Sequence, residues 1–225
     1  SSKKLFLTPS VQQMRKLFSL YQSGNYAEAL KESIILKKRY LNNAAIINLI
    51  GTITAAMGNK EAAVKYYKEA LITKPAYSEV YNNLGIVYRE LLDLDEAQNC
   101  YRKAVKLSPT MPEAYNNLGS SNYQNGDWET AEQNFKKSLI LTPAFLEASK
   151  NLFHSLYKRD DLNGSLRSLK WSIITGGATA QVYINLSDVL RQIGAYPQAN
   201  TNAQRSILMA PSNILGYLQA GQNFV

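Results

Sequence analysis

The sequence predicts an all-α chain built from repeated helix pairs, on three observations. The pentapeptide Tyr-Asn-Asn-Leu-Gly occupies 81–85 and again 115–119, an interval of 34 residues. The same step links small residues at Ala29, Ala63, Ala97, Ala131, Ser165 and Ala199, prolines at Pro75, Pro109, Pro143 and Pro211, and glycines at Gly51, Gly85, Gly119 and Gly221. Within one interval the apolar spacing is helical: Val80, Leu84, Val87 and Leu91 follow i, i+4, i+7, i+11, one face of a helix.

The interval divides the chain into repeats at 10–43, 44–77, 78–111, 112–145, 146–179 and 180–213, preceded by an extension over 1–9 and followed by a partial seventh over 214–225. In the third repeat the first helix ends at a turn near Leu92–Asp93. A second stripe, Ala97, Tyr101, Ala104 and Val105, then builds the second helix, and Pro109 stops it. Gly24, Gly58, Gly126 and Gly194 mark the matching turn in other repeats. Gly85 and Ala97 are expected to let the paired helices approach, with Tyr81, Tyr88 and Tyr101 filling the space around them. The first repeat departs from the pattern, with Leu17 at the glycine position and Leu41 at the proline position. The fifth departs most: Phe153 replaces glycine, Ser165 replaces alanine, and Thr175–Gly177 stands where proline is expected. Phe153 is expected to push its helices apart, and Gly176–Gly177 to form a freer joint that Gly177→Pro would stiffen. The apolar residues Ile214, Tyr217, Leu218, Phe224 and Val225 begin another first helix without its partner. That end is expected either to continue in a longer protein or to be covered, self-association being one way of covering it.

Leu, Gly and Tyr on the first helix, then Ala, an aromatic and Pro on the second, at a 34-residue period, resemble the tetratricopeptide repeat. The resemblance covers residues 10–225. It implies an alpha-alpha superhelix, or solenoid, of about six helix-turn-helix units plus a partial seventh helix. First helices would line a concave groove and second helices would face outward. One helix pair cannot bury its own apolar faces, so stacking is obligatory.

The composition limits function. Hydrophobic residues make up 45% and charged residues 19%, a globular balance. No stretch approaches the roughly 18 apolar residues of a membrane span, and Ser1–Ser10 lacks the apolar run of a signal peptide. The single Cys100 excludes an intrachain disulfide or a cysteine metal cluster and fits a cytoplasmic setting. His154 and Cys100 fall on different repeats and do not make a nucleophile–base pair. Asp93, Asp95, Asp160 and Asp161 sit at turns, where helix capping explains them. Without a phosphate loop or a metal-ligand set, the expectation is a non-catalytic protein that needs no cofactor. The net charge is +8. Residues 1–77 hold 12 Lys/Arg against 4 Asp/Glu, and residues 78–225 hold 13 of each. Lys31, Lys38, Lys65 and Lys68 then form a basic outer face on the first two repeats, either solvated or docking an acidic partner. It lacks the interleaved aromatics of a nucleic-acid surface.

In the groove, the sixth position of successive repeats holds Asn83, Asn117, Asn151 and Asn185, and the fifth holds Asn48, Asn82, Asn116 and then Lys150. A carboxamide matches the N–H and C=O of a peptide backbone. The column resembles the asparagine ladder of O-linked N-acetylglucosamine transferases. That resemblance implies backbone contacts from Asn83, Asn117, Asn151 and Asn185; the alternative is that they are packing consensus. Tyr123, Tyr157, Lys158 and Arg191, with Tyr21, Arg89, Glu90, His154 and Asp188 on the same surface, would add selectivity. The two-carboxylate clamp of chaperone-binding members is present only as the fragments Lys150 and Asn185. Two functions follow: a scaffold binding a protein or extended peptide in the groove, or the recruiting domain of a larger enzyme. The latter rests on residues 13–30, which resemble the start of bacterial proteins whose repeats precede a glycosyltransferase or sulfotransferase domain.

Overall fold

A computed structural model describes residues 8–212 together with Leu218 and Gly221; the expected partial seventh helix otherwise lies outside the described residues. Twelve α-helices occur among them: α1 (Val11–Gln22), α2 (Tyr26–Arg39), α3 (Ala44–Ala56), α4 (Lys60–Thr73), α5 (Ser78–Glu90), α6 (Leu94–Leu107), α7 (Pro112–Gln124), α8 (Trp128–Leu141), α9 (Leu146–Lys158), α10 (Leu162–Ile174), α11 (Ala180–Gln192) and α12 (Tyr196–Met209). Each 34-residue interval holds one pair. The chain divides into two compact units at Pro109–Thr110, the first ending with α6 and the second beginning with α7.

Helix ends are set by local chemistry. Ser10 and Gln13 form a reciprocal capping box at α1. Asn59, Asp93, Asp127 and Asp161 accept from the N–H three residues on and cap the second helices. The turn before each cap has one backbone solution. Gly24, Gly58, Leu92, Gly126, Asp160 and Gly194 all have positive φ, between 60 and 83°. In the third repeat Leu92 N–H donates to the Arg89 carbonyl at 3.1 Å and Asp93 N–H to the Tyr88 carbonyl at 2.9 Å. This is a Schellman closure, and it recurs at every pair turn. Gly176 and Gly177 close α10 the same way, Gly177 N–H donating to the Ser172 carbonyl at 2.8 Å. That joint is a hydrogen-bonded cap and not a loose one. The expected benefit of Gly177→Pro is therefore corrected: proline would remove this donor.

Three of the six described pairs, α3/α4, α5/α6 and α7/α8, are held by rings laid on glycine. A Cβ added to Gly85 would stand 2.6 Å from Cε1 of Tyr101 and 3.1 Å from the Ala97 carbonyl oxygen. Tyr67 covers Gly51 and Phe135 covers Gly119 in the same manner. Tyr101 thus lies on the glycine itself and not merely beside it. The first repeat inverts the sizes, with buried Leu17 in the glycine position and buried Ser33 in the ring position. In the fifth repeat both positions are large, Phe153 and Leu169, and α9 and α10 pack less closely than α7/α8 or α11/α12. Each core cluster joins a pair to the next first helix: Leu17, Ala29 and Leu36 pack with Ile46, Ile50 and Ile53 in one unit, and Phe135 and Leu139 with Leu152 and Leu156 in the other.

Two outcomes follow from this packing. Gly85→Leu alone should destabilise the chain by about 1–3 kcal/mol through overpacking. Adding Tyr101→Ser, which copies the Leu17/Ser33 arrangement, should leave the double variant at least about 1 kcal/mol more stable than the summed single losses. A urea-unfolding double-mutant cycle measures it, and strict additivity would count against the contact. Leu92 is 82% exposed and holds its left-handed backbone without compensation from burial. Leu92→Gly should raise stability by about 0.5–1 kcal/mol, read as a higher urea midpoint at unchanged slope.

Candidate functional site

The asparagines stand on the first helices, and the structure shows how they are held. In the first unit Asn83 Nδ2 donates to Asn48 Oδ1 at 3.3 Å, from α5 to α3. In the second unit Asn151 Nδ2 donates to Asn116 Oδ1 at 2.9 Å, from α9 to α7, and to Ser120 Oγ at 3.3 Å. Asn116 Nδ2 in turn donates to the Glu147 carboxylate at 3.3 Å. Both cross-repeat bonds join a sixth-position donor to the fifth-position acceptor of the preceding repeat. Each asparagine donor is thereby oriented from behind.

Burial separates the candidates into two sets. Asn82, Asn116 and Asn117 are buried, Asn116 at only 2% exposure, whereas Asn48, Asn83, Asn151 and Asn185 are half-buried. Asn185 accepts from Gln181 Nε2 at 2.9 Å within its own helix. Tyr157 donates to Asp188 at 2.9 Å and receives the Gln192 amide, which ties α9 to α11. The ring of Tyr157 lies 5.4 Å from that of Phe153. Tyr123 and Arg191 are half-buried and Lys158 is exposed. Beside Asn185, where α9 and α10 are loosened, a cavity of about 200 Å³ opens among Lys150, Phe153, Gln181 and Val182. Glu147, Ser120 and Gln192 were not singled out by the sequence. The available signal was helical spacing, Glu147 lying four residues before Asn151 and Gln192 four after Asp188.

The remaining reactive groups are held quiet. Cys100 is buried in the first unit, and burial pushes its thiol up to about 11. His154 belongs to the second unit, its ring tilted at 53° to that of Phe153 with the centroids 5.1 Å apart; partial desolvation, with Lys150 nearby, lowers its affinity for a proton. Among the described residues no group of three or more His, Cys, Asp or Glu could hold a metal ion, and no helix is long and apolar enough to cross a membrane. Lys31, Lys38, Lys65 and Lys68 are all exposed on α2 and α4.

Comparisons with known proteins agree with this architecture. Family profiles described as TPR repeat and tetratricopeptide repeat match residues 87–126, 112–145 and 44–77. The Photosystem I assembly protein Ycf3 of Rippkaea orientalis (strain PCC 8801 / RF-1) is 29% identical over 94 residues, 37% of this chain and 54% of its own length. The chain thus spans about half the length of that curated relative. PilF of Pseudomonas aeruginosa superposes with a TM-score of 0.78 at 17% identity, over 94% of this chain and 96% of its own. The type IV pilus biogenesis factor PilW gives 0.77 at 19% identity, over 92% and 96%. YrrB, described as a TPR protein with an unusual peptide-binding site, gives 0.67 at 16% identity, over 84% and 97%. At these identities the structural likeness shows the fold alone, an all-α helix-pair repeat.

The relay through Asn116 makes a testable distinction. Asn116→Ala removes a buried group that Asn151 and Glu147 both use, and should cost about 1–3 kcal/mol. Asn185→Ala, whose bond is local and half-exposed, should cost under about 1 kcal/mol. Thermal unfolding of the two variants side by side checks the order, and equal losses would argue against the relay.

Proposed function

The chain belongs to the tetratricopeptide repeat family, and we propose on that footing that it is a protein-interaction scaffold holding an extended partner segment along its first helices. The observation that carries this reading is the cross-repeat brace. Asn151 is fixed by Asn116 and Ser120, and Asn83 by Asn48, so that half-buried carboxamides are presented in set orientations. A preorganised carboxamide pairs with main-chain groups whatever the side chains are. In the second unit Asn151 and Asn185 are the reading groups, with Asn116 and Asn117 beneath them; in the first unit Asn83 reads and Asn48 braces. First helices packed about 10 Å apart would meet an extended chain at every third residue, given its rise of about 3.3 Å. Tyr157, held by Asp188, would contribute an aromatic wall, with Tyr123, Lys158 and Arg191 setting preference among sequences. The described peptide site of YrrB and the assembly role in the name of Ycf3 are in keeping with this reading. The exposed lysines of α2 and α4 suit a separate acidic contact. The work proposed is non-catalytic and cytoplasmic. The same face would serve the recruiting domain of a larger enzyme without change in its chemistry.

The test is a random-peptide display selection on the intact chain, repeated on Asn151→Ala/Asn185→Ala. Each neutral hydrogen bond contributes about 1 kcal/mol, so a single substitution should weaken selected peptides several-fold and the pair by about 10–30-fold. Affinity for those peptides should change little with added salt, because the reading groups are uncharged. Selection of the same peptides with the same affinity by the double variant would reduce the asparagines to packing.

A further inference from the structure

The second unit carries a second concavity that the asparagine face does not use. A cavity of about 600 Å³ lies between the two second helices α8 and α10, with α9 as its floor. Its walls are apolar: Leu139, Ile140 and Pro143 on one side, Trp171 on the other, Leu152 and Leu156 below. The fifth repeat makes this space by losing bulk. Ser168 occupies the position held by Tyr66, Cys100, Asn134 and Asn202 in other repeats. Trp171 stands where they carry Glu69, Lys103, Lys137 and Arg205. Small residues on the cavity side and a large apolar one at its edge reverse the usual composition of an outward-facing helix.

We propose that this trench docks an acidic amphipathic helix of a partner protein, its apolar stripe seated between α8 and α10 and a carboxylate on Arg167. Length fits first. The lining residues of α8 run from Glu132 to Ile140, about 12 Å at 1.5 Å per residue, and Pro143 extends the wall past the helix end, room for two to three turns of a bound helix. Charge fits next. Glu132 is already engaged by Lys136 at 2.6 Å and Arg159 at 2.7 Å. Asp161 is engaged in capping α10, accepting from Gly164 N–H at 2.7 Å. Arg167 lies at the rim and has no carboxylate upon it among the described residues. Two carboxylates, Glu132 and Asp161, thus stand against three cations, Lys136, Arg159 and Arg167, and the rim carries one net positive charge. Exposure decides between a protein and a small molecule. Ile140 is 73% exposed and Trp171 48% exposed at the lips of the trench. A compact ligand on the floor would leave both in water, whereas a helix laid across the lips covers them. Trp and Arg are also the residue types that dominate binding energy at such anchors.

The experiment uses the intact chain with Trp128→Phe, which leaves Trp171 as the sole tryptophan reporter. A phage library of 18-residue amphipathic helices, randomised on both the apolar stripe and its charged flanks, is selected against it. Selected peptides are expected to carry Asp or Glu beside the stripe and to shift Trp171 emission to the blue. They should lose at least tenfold in affinity on Arg167→Glu and regain it when the peptide's acidic residue is changed to Lys. Ser168→Phe, which plugs the trench, should abolish binding at unchanged helix content; should that variant not fold, the charge swap decides alone. The proposal is overturned if no selected peptide answers to the Arg167 reversal. It is equally overturned if dodecanoate shifts Trp171 emission saturably while no helical peptide does, since the trench is then a small-molecule cleft.

Discussion

An aromatic ring lying on the bare backbone of a neighbouring helix sets the distance between the helices in the three pairs from α3 to α8. Tyr101 on Gly85, Tyr67 on Gly51 and Phe135 on Gly119 replace a side-chain-to-side-chain contact by a side-chain-to-backbone one. The helices come closer, and a planar surface with few rotamers fixes their mutual rotation. That rotation determines which residues of the first helix stay outside the core, and those residues include the asparagines. Where the ring is missing the consequences are local. Leu17 with Ser33 places the bulk on the opposite helix. Phe153 with Leu169 does not fit as tightly, and the small cavity beside Lys150 and Asn185 opens at that pair.

Much of this was legible in sequence because it depends on one interval. Helix pairs, their turns and their capping aspartates follow from residues spaced by 34 and need no knowledge of neighbours. Leu92 shows the strength of the register: leucine disfavours a left-handed backbone, yet adopts it here because the closure of the helix before it requires it. Contacts between repeats were less legible. The Asn83–Asn48 and Asn151–Asn116 bonds connect residues 35 apart, one more than the repeat, and which neighbour a carboxamide chooses depends on the stagger of adjacent helices. Gly176–Gly177 misled because two glycines look loose in a string of letters. In space they close a helix with two hydrogen bonds.

The fifth repeat combines two departures from the pattern. Its first helix carries Phe153 against the second, and its second helix presents Ser168 and Trp171 outward. Regular repeats bury their bulk inward and solvate their outer helices. Here bulk at the pair interface and smallness on the outer side occur in the same 34 residues. The two sides of this repeat therefore differ from the matching surfaces of its neighbours, which is how a periodic scaffold acquires a unique address.

The Asn-Asn dipeptide has a direction. Its first residue offers an oxygen to the repeat that follows, as Asn116 does to Asn151, and its second offers a hydrogen to the repeat before, as Asn83 does to Asn48. The dipeptide occurs twice, at 82–83 and 116–117. The third helix carries Asn48 followed by Leu49, an acceptor without a donor, so the series can begin there but receives nothing from behind. The ninth carries Lys150 followed by Asn151, a donor without an acceptor, and the Asn185 oxygen accepts from Gln181 of its own helix. The sequence thus writes a head and a tail into an otherwise periodic polymer. A copy of the 146–179 unit, whose Lys150 offers no carboxamide oxygen, would end the series wherever it was placed.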